Sequence, residues 1–179
     1  MHTDRFTPLD AATLLRWMQH DLPNKQLFGI DRELFFMPKP DDPFRMERYG
    51  KVLENPLGVA AGPHTQLAQN ILSAWLCGAR YIELKTVQVL DELNVAKPCI
   101  DMADEGYNCE WSQELKLDQS FEEYLKAFVL LYVLRDMLNL PVEAEPSKGP
   151  GFIFNMSAGY NLEGIKSPAL QRFLDRMEN

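Results

Sequence analysis

Short apolar runs that stop at glycine alternate along this chain with stretches in which apolar residues recur every three to four positions. Residues 8–21, PLDAATLLRWMQHD, predict a helix with Leu14, Leu15, Trp17 and Met18 on its apolar stripe and Pro8 near its first turn. Residues 22–44 are rich in proline and aromatics. Because Phe28, Phe35 and Phe36 need burial, they predict an extended segment packed over a larger body. RYGKVLENP then reads as a short hairpin or strand ending at the Asn55–Pro56 turn. LGVAAG, at 57–62, fits a parallel strand buried on both faces. A helix at about 66–77 follows, with Gly78 just past its end, and ARYIELKT reads as a second strand. Strand, helix and strand in this order form a βαβ unit with a right-handed crossover.

Residues 87–118 are polar and without a clear period. They predict a long ordered excursion, with room for a short hairpin, and such excursions usually have a task. A long helix returns at about 120–138, with Phe121, Tyr124, Leu125, Phe128, Leu131, Tyr132 and Leu134 as its apolar face. PVEAEPSKGPG reads as a surface loop and GFIFNMSAG as a third buried strand. The final helix starts at Ser167 as N-cap with Pro168 in its first position. No repeat of 20–50 residues is present. The order of elements is that of an α/β protein. A doubly wound nucleotide-binding sheet is the alternative, but no GxGxxG follows any strand.

Composition narrows the partners more than the fold. The chain has 179 residues, 46% hydrophobic and 25% charged, with a net charge of −8. That charge disfavours nucleic acid and anionic membrane surfaces, leaving small molecules and other proteins. No apolar run approaches the roughly 20 residues of a membrane span, and the first residues lack a signal-peptide core. Three scattered cysteines (Cys77, Cys99 and Cys109) suggest reduced thiols in the cytoplasm. With no CxxC and with His2, His20 and His64 far apart, no metal site is expected here. Cys77 is expected to be a buried structural thiol within its helix.

In an α/β barrel the chemistry gathers at the carboxyl ends of the strands. Those positions here hold Ala60, Ala61 and Gly62, then Lys85 and Thr86, then Asn155, Met156, Ser157 and Gly159. Small residues after the first strand let a flat ring approach the backbone. A lysine ending the second strand can set a cation beside the edge of a flavin that turns negative on reduction. Each feature has a structural alternative. The AAG turn can be a plain turn, and Lys85 can reach solvent or pair with Glu83.

ENPLGVAAG, the Gly-Ala turn, YIELKTV and KPCID resemble the opening of dihydroorotate dehydrogenases and of the flavin domain of dihydropyrimidine dehydrogenase. PHTQLAQNI, ELKTVQVLD, KPCIDMADE, YNCEWS and FIFNMSAGYNLEGIK are more similar still to the N-terminal domain of the family of the proposed selenate reductase iron–sulfur subunit. That match runs from about Leu27 to the end. The resemblance implies an incomplete (β/α)8 TIM barrel, roughly its first three to four β/α units, at 47–179. An N-terminal helix and extended segment precede it at 1–46.

The resemblance also implies that FMN lies against Ala60, Ala61 and Gly62, with Lys85 and Thr86 at its pyrimidine edge. It implies that Asn108 hydrogen-bonds a small-molecule substrate, with a turn role as the alternative, and that Asn155 plays a similar part. FAD, NADPH and iron–sulfur clusters would belong to the remainder of a longer parent, as would its other redox domains or subunits. Where the dehydrogenases continue with aromatic and acidic residues after AAG, this chain has Pro63, His64 and Thr65. His64 is the candidate for proton transfer, because imidazole titrates near neutrality, and capping the following helix is its alternative. The family's acid/base cysteine or serine and its phosphate grip fall beyond Asn179, so this piece alone is expected to be inactive. The competing expectation is a barrel that has lost flavin and serves as a docking domain in a multi-subunit redox complex.

Overall fold

The computed structural model describes residues 6–88, 100–101, 107–108, 114–141, 146–159 and 161–178, with the backbone alone at 88, 100–101 and 107–108. Helix α1 (Ala11–Asp21) starts where the Asp10 carboxylate accepts the Thr13 N–H at 2.8 Å and the Thr13 hydroxyl at 2.7 Å. Leu14 and Met18 are fully buried. Trp17, expected on the same stripe, is 44% exposed and tilts against Phe28, its ring centroid 5.9 Å away. A 3-10 turn and a two-residue hairpin, β1 (Gln26–Leu27) with β2 (Ile30–Asp31), carry the chain over the body. There Phe35 is buried and Phe28 and Phe36 are half-buried. The second hairpin joins β3 (Met46–Arg48) to β4 (Lys51–Leu53). Its two linking residues, Tyr49 and Gly50, have φ of 52° and 70°, the left-handed pair that suits the twist of a tight hairpin.

The central sheet is parallel. Strand β5 (Gly58–Val59) leads through a 3-10 turn (Pro63–Gln66) into α2 (Ala68–Leu76) and back to β6 (Tyr81–Gln88). Antiparallel β7 (Ile100–Asp101) and β8 (Tyr107–Asn108) lie in the excursion. Then come α3 (Leu117–Met137), a 3-10 turn at Pro146–Lys148, β9 (Ile153–Gly159), the short α4 (Leu162–Ile165) and α5 (Pro168–Glu178). Strand order is β5–β6–β9, with Val59, Ile82 and Phe154 in line across the sheet. This is consecutive β/α winding with no closed barrel: an incomplete TIM barrel. The expected βαβ unit, the hairpin before it and the final helix are all present.

Ile82, Leu84 and Val87 of β6 and Phe152 before β9 join Ile71, Leu72 and Trp75 of α2 and Leu131 and Leu134 of α3 in one core. Leu14 and Met18 of α1 belong to the same core. The opposite face of the sheet carries Tyr81, Glu83 and Asn155, none of them fully buried. β5 and β9, expected to be fully buried, are half-buried with Gly58 and Ser157 exposed, and the open interior face accounts for the exposure of its own residues. A parallel strand is sealed on both faces only when the barrel interior is filled.

Two further expectations fail, the first in part: Phe121, Tyr124, Leu131 and Leu134 of the expected α3 face are buried, and the rest of that face is not. In α3 the buried face is Phe121, Tyr124, Ala127, Leu130, Leu131 and Leu134, together with Ser120, Glu123 and Arg135, whereas Leu125, Phe128 and Tyr132 are exposed. Cys77, expected to be buried, caps the end of α2 and is exposed. α3 is apolar around more than one face, so periodicity alone does not say which face meets the sheet, whereas Cys77 lies past the last residue of α2, where the chain leaves the packed face.

A polar cluster closes the amino-terminal end of the sheet. Glu54, just before β5, accepts from Arg80 Nε at 2.5 Å and from Arg135 Nη1 at 2.6 Å. Arg80 also donates to Trp75 O at 2.7 Å and stacks over the Trp75 and Phe36 rings. Arg135 donates to Pro141 O at 2.6 Å. Gly151, at φ +83°, presses on this carboxylate so closely that a Cβ would lie 2.7 Å from Glu54 Cδ. Burial pushes the Arg80 guanidinium below its ordinary value, opposed by Glu54.

Candidate functional site

The carboxyl ends of the three parallel strands bring most of the predicted residues to one rim. Leu84 pairs with Met156 and Val87 with Ala158, so Lys85 and Thr86 together face the single residue Ser157. That is a β-bulge, which re-aims side chains and recurs beside active sites. Leu84 and Val87 both face the helices, which leaves Glu83 and Lys85 to the barrel-interior face. Lys85 is 9% exposed and half-buried Thr86 adjoins it.

The Lys85 carbonyl is held from behind. The Tyr124 hydroxyl of α3 donates to it at 2.8 Å. Burial, aided by Glu114 and Glu123, pushes that hydroxyl's pKa above the tyrosine range and keeps it a neutral donor, while a hydrogen bond with Ser120 acts the other way. Nearby, Gln66 donates to Glu114, and the remaining side-chain oxygens of both are buried without a partner among the described residues. Glu123 accepts the Ala68 N–H at 2.8 Å, placing a carboxylate at the amino end of α2 where the helix dipole favours it.

On the neighbouring strand, Ala60 is exposed and Ala61 and Gly62 are half-buried. The Ala61 N–H reaches Glu83 Oε2 at 3.3 Å, tying this rim to the interior face of β6. Thr65 locks the turn: its hydroxyl donates to Gly62 O at 3.0 Å and accepts the Gly62 N–H at 3.2 Å. His64 is exposed, and its ring folds over Gly62 so that a Cβ there would sit 2.8 Å from ring atoms. The hydroxyl of Thr65 therefore does the capping for which His64 was the alternative candidate. Glycine is also required at Gly58, where a Cβ would lie 2.7 Å from the Tyr81 carbonyl.

One predicted residue is displaced. Asn155 is the third residue of β9 and pairs with Glu83, below the bulge, so it lines the interior instead of the rim. β9 continues to Gly159, which leaves Ser157 as the rim residue of that strand. Asn108 lies in β8, but its side chain falls outside the described residues, as do Cys99 and Cys109. Sequence reasoning missed Tyr124 as the support of the bulge and Thr65 as the rim lock. The three-residue spacing of Gly62 and Thr65 was a usable signal, whereas nothing local marks Tyr124. Among the described residues no group of three or more His, Cys, Asp or Glu could hold a metal. No helix among them is long and apolar enough to cross a membrane.

Residues 28–179 match the family described as "Oxidoreductase YgfK, N-terminal TIM-barrel domain". The chain belongs to this family. It is also 50% identical over 154 residues to the proposed oxidoreductase YgfK of Escherichia coli strain K12, and equally to that of Escherichia coli O157:H7. The match covers 86% of this chain and 14% of each relative, so the chain spans about one seventh of the relatives' length. No solved structure matches it significantly. The YgfK-type barrel thus enters here as an oxidoreductase's amino-terminal domain, with its strand ends assembled as described.

Proposed function

We propose that this domain forms one wall of a flavin site in a much longer cytoplasmic oxidoreductase, with FMN as the flavin. The observation that carries the reading is the parallel pairing of β5 with β6, by which Ala60–Gly62 and Lys85–Thr86 both follow the paired residues Val59 and Ile82 toward the carboxyl end of the sheet, Lys85 and Thr86 on a bulge against β9. The residues fit such a group. A rim of small side chains admits a flat ring, and Lys85, a residue only 9% exposed, supplies a positive charge. Bound FMN would supply hydride acceptance and release. The chain's own contribution is to orient the ring against Ala60–Gly62, to place the Lys85 cation and Thr86 hydroxyl at its edge, and to offer His64 for proton transfer at the mouth.

Asn108, on the excursion after β6, is assigned to a small-molecule substrate, since an amide side chain both donates and accepts. Asn155, lower on the interior face, is a weaker candidate for the same task. FAD, NADPH and iron–sulfur clusters are assigned to the remainder of the parent, as is the proposed selenate chemistry. A second reading, a flavin-free docking barrel in a redox complex, draws on one observation. The His64 ring covers Gly62, where a flat ring would approach.

Purified full-length parent separates the two. Bound FMN, released on denaturation and identified by its absorbance, is the expected result, and Lys85→Ala should lose it while the domain stays folded. A colourless, folded parent that still assembles with its partners would leave only the docking reading.

A further inference from the structure

We infer that the groove between α1, the β1–β2 turn and α2 binds a small organic cation bearing N–H donors, a primary ammonium or a guanidinium. The groove offers about 560 Å³, within the range of small-molecule sites. Its walls are the last two turns of α1, the hairpin turn at Phe28 and Gly29, and the first two turns of α2. The residues that α1 contributes, Trp17, His20 and Asp21, precede the residues matched to the YgfK family, so the site is not simply inherited from the matched barrel.

The wall chemistry is one-sided. The rings of Trp17 and Phe28 meet with centroids 5.9 Å apart and both line the groove, and aromatic faces attract cations. Phe28 has a φ of 52°, a left-handed setting in which Asn or Gly is usual, so the turn itself does not call for an aromatic side chain. His20 Nδ1 meets one oxygen of Asp21 at 2.9 Å, and the other has no hydrogen bond among the described residues. Gln69 lines the groove too, and its Oε1 is buried without a partner among the described residues. Ser73 donates its hydroxyl hydrogen to Gln69 O at 2.8 Å, so its oxygen can only accept.

The helix ends agree with the side chains. α1 finishes at Asp21 and brings the negative end of its dipole to the groove, whereas the positive end of α2 is already met by Glu123 at the Ala68 N–H. An anion would find no fixed cation here, since His20 is the one lining side chain able to carry positive charge. A neutral molecule would leave the Asp21 carboxylate unanswered. A cation with N–H donors answers the rings, the carboxylate and the bare amide oxygen together.

The test titrates this chain with methylguanidinium chloride and with n-butylammonium chloride, at up to about 20 mM, far below denaturing levels. It follows the Trp17 indole N–H resonance, assigned by its loss in Trp17→Phe. The expected result is a saturable shift that sodium chloride at equal ionic strength does not produce. Tetramethylammonium, which keeps the charge without an N–H, should bind about threefold to tenfold more weakly, the worth of one ordinary hydrogen bond. Asp21→Asn should weaken methylguanidinium binding about tenfold or more, as loss of a charge-assisted hydrogen bond does. Gln69→Leu should weaken it about threefold or more. Glu33→Gln, on an exposed residue outside the groove, should leave binding unchanged. Urea midpoints identify a variant that has lost its fold, and the other variant then decides. The inference is overturned by the absence of a saturable shift, by a shift that sodium chloride reproduces, or by tetramethylammonium binding as tightly as methylguanidinium. Folded Asp21→Asn and Gln69→Leu that bind like the wild type overturn it equally.

Discussion

The two ends of the central sheet both bury charge, and they do so in opposite ways. At the amino-terminal end Glu54 is shared by Arg80 and Arg135, and backbone carbonyls take further guanidinium protons. Aromatic rings and a glycine seal the cluster. At the carboxyl end, Lys85 sits on a bulge of β6, and the turn after β5 carries Ala60, Ala61, Gly62 and exposed His64. The first arrangement cements the ends of three strands, the start of β5 included, to the end of α3. The second leaves small side chains and open rim. Barrels of this kind commonly divide labour this way, with stability at one end and chemistry at the other.

The largest expected effect therefore belongs to the amino-terminal end. Glu54→Ala strands two buried guanidiniums and should cost about 3–5 kcal/mol in urea unfolding, enough to unfold much of the domain. Any loss of flavin from the parent should then follow loss of fold. If Glu54→Ala unfolds like the wild type, the cluster is not the structural anchor and the contrast between the ends collapses.

A smaller effect is expected where the rim meets its support. Tyr124→Phe removes the one hydroxyl that satisfies the Lys85 carbonyl and should cost about 1–3 kcal/mol. It should also weaken flavin retention more than its stability loss accounts for, because the bulge is freed to relax. The same hydroxyl sets an alkaline limit. Its pKa is raised in the fold above the ordinary value of 10.0, so its share of stability is complete below that value. It is lost as pH climbs from there toward the raised folded value. Urea midpoints should therefore fall as pH is raised above about 10 in the wild type and fall less in Tyr124→Phe. Parallel slopes in the two proteins would place the alkaline sensitivity elsewhere.

Much of this contrast was legible in the chain, unevenly. LGVAAG and YIELKT announce parallel strands because glycine-bounded apolar runs have few other uses, and their order brings Gly62 and Lys85 to the same end. The amino-terminal cluster was not legible. Glu54, Arg80 and Arg135 are 26 and 55 residues apart in sequence, and buried ion pairs leave no periodic trace. In α3, Glu123 and Arg135 look like solvent-facing residues until Ala68, Lys126 and Glu54 are seen to satisfy them. This is why the expected apolar face included Leu125, Phe128 and Tyr132 alongside Phe121, Tyr124, Leu131 and Leu134, which are buried. Asn155 was misplaced although the strand's end at Gly159 was legible: the strand runs four residues past Asn155, which therefore pairs with Glu83 within the sheet and does not lie at its end.

The smallest stability effect, and the sharpest test of the contrast, is expected from Lys85→Met. Methionine keeps most of the stem's contacts and removes only the ammonium. Lys85 lies at a rim and not inside a sealed cluster like that of Arg80, which is 0% exposed. Such a swap should therefore cost less than about 1.5 kcal/mol, the net worth of one ordinary hydrogen bond. Flavin retention by the parent, under the reading proposed here, should nonetheless be lost. A stability loss as large as that of Glu54→Ala would mean that the rim cation is structural after all. The carboxyl end would then be a second anchor of the sheet, and the small residues beside it would be turn residues with no ring to receive.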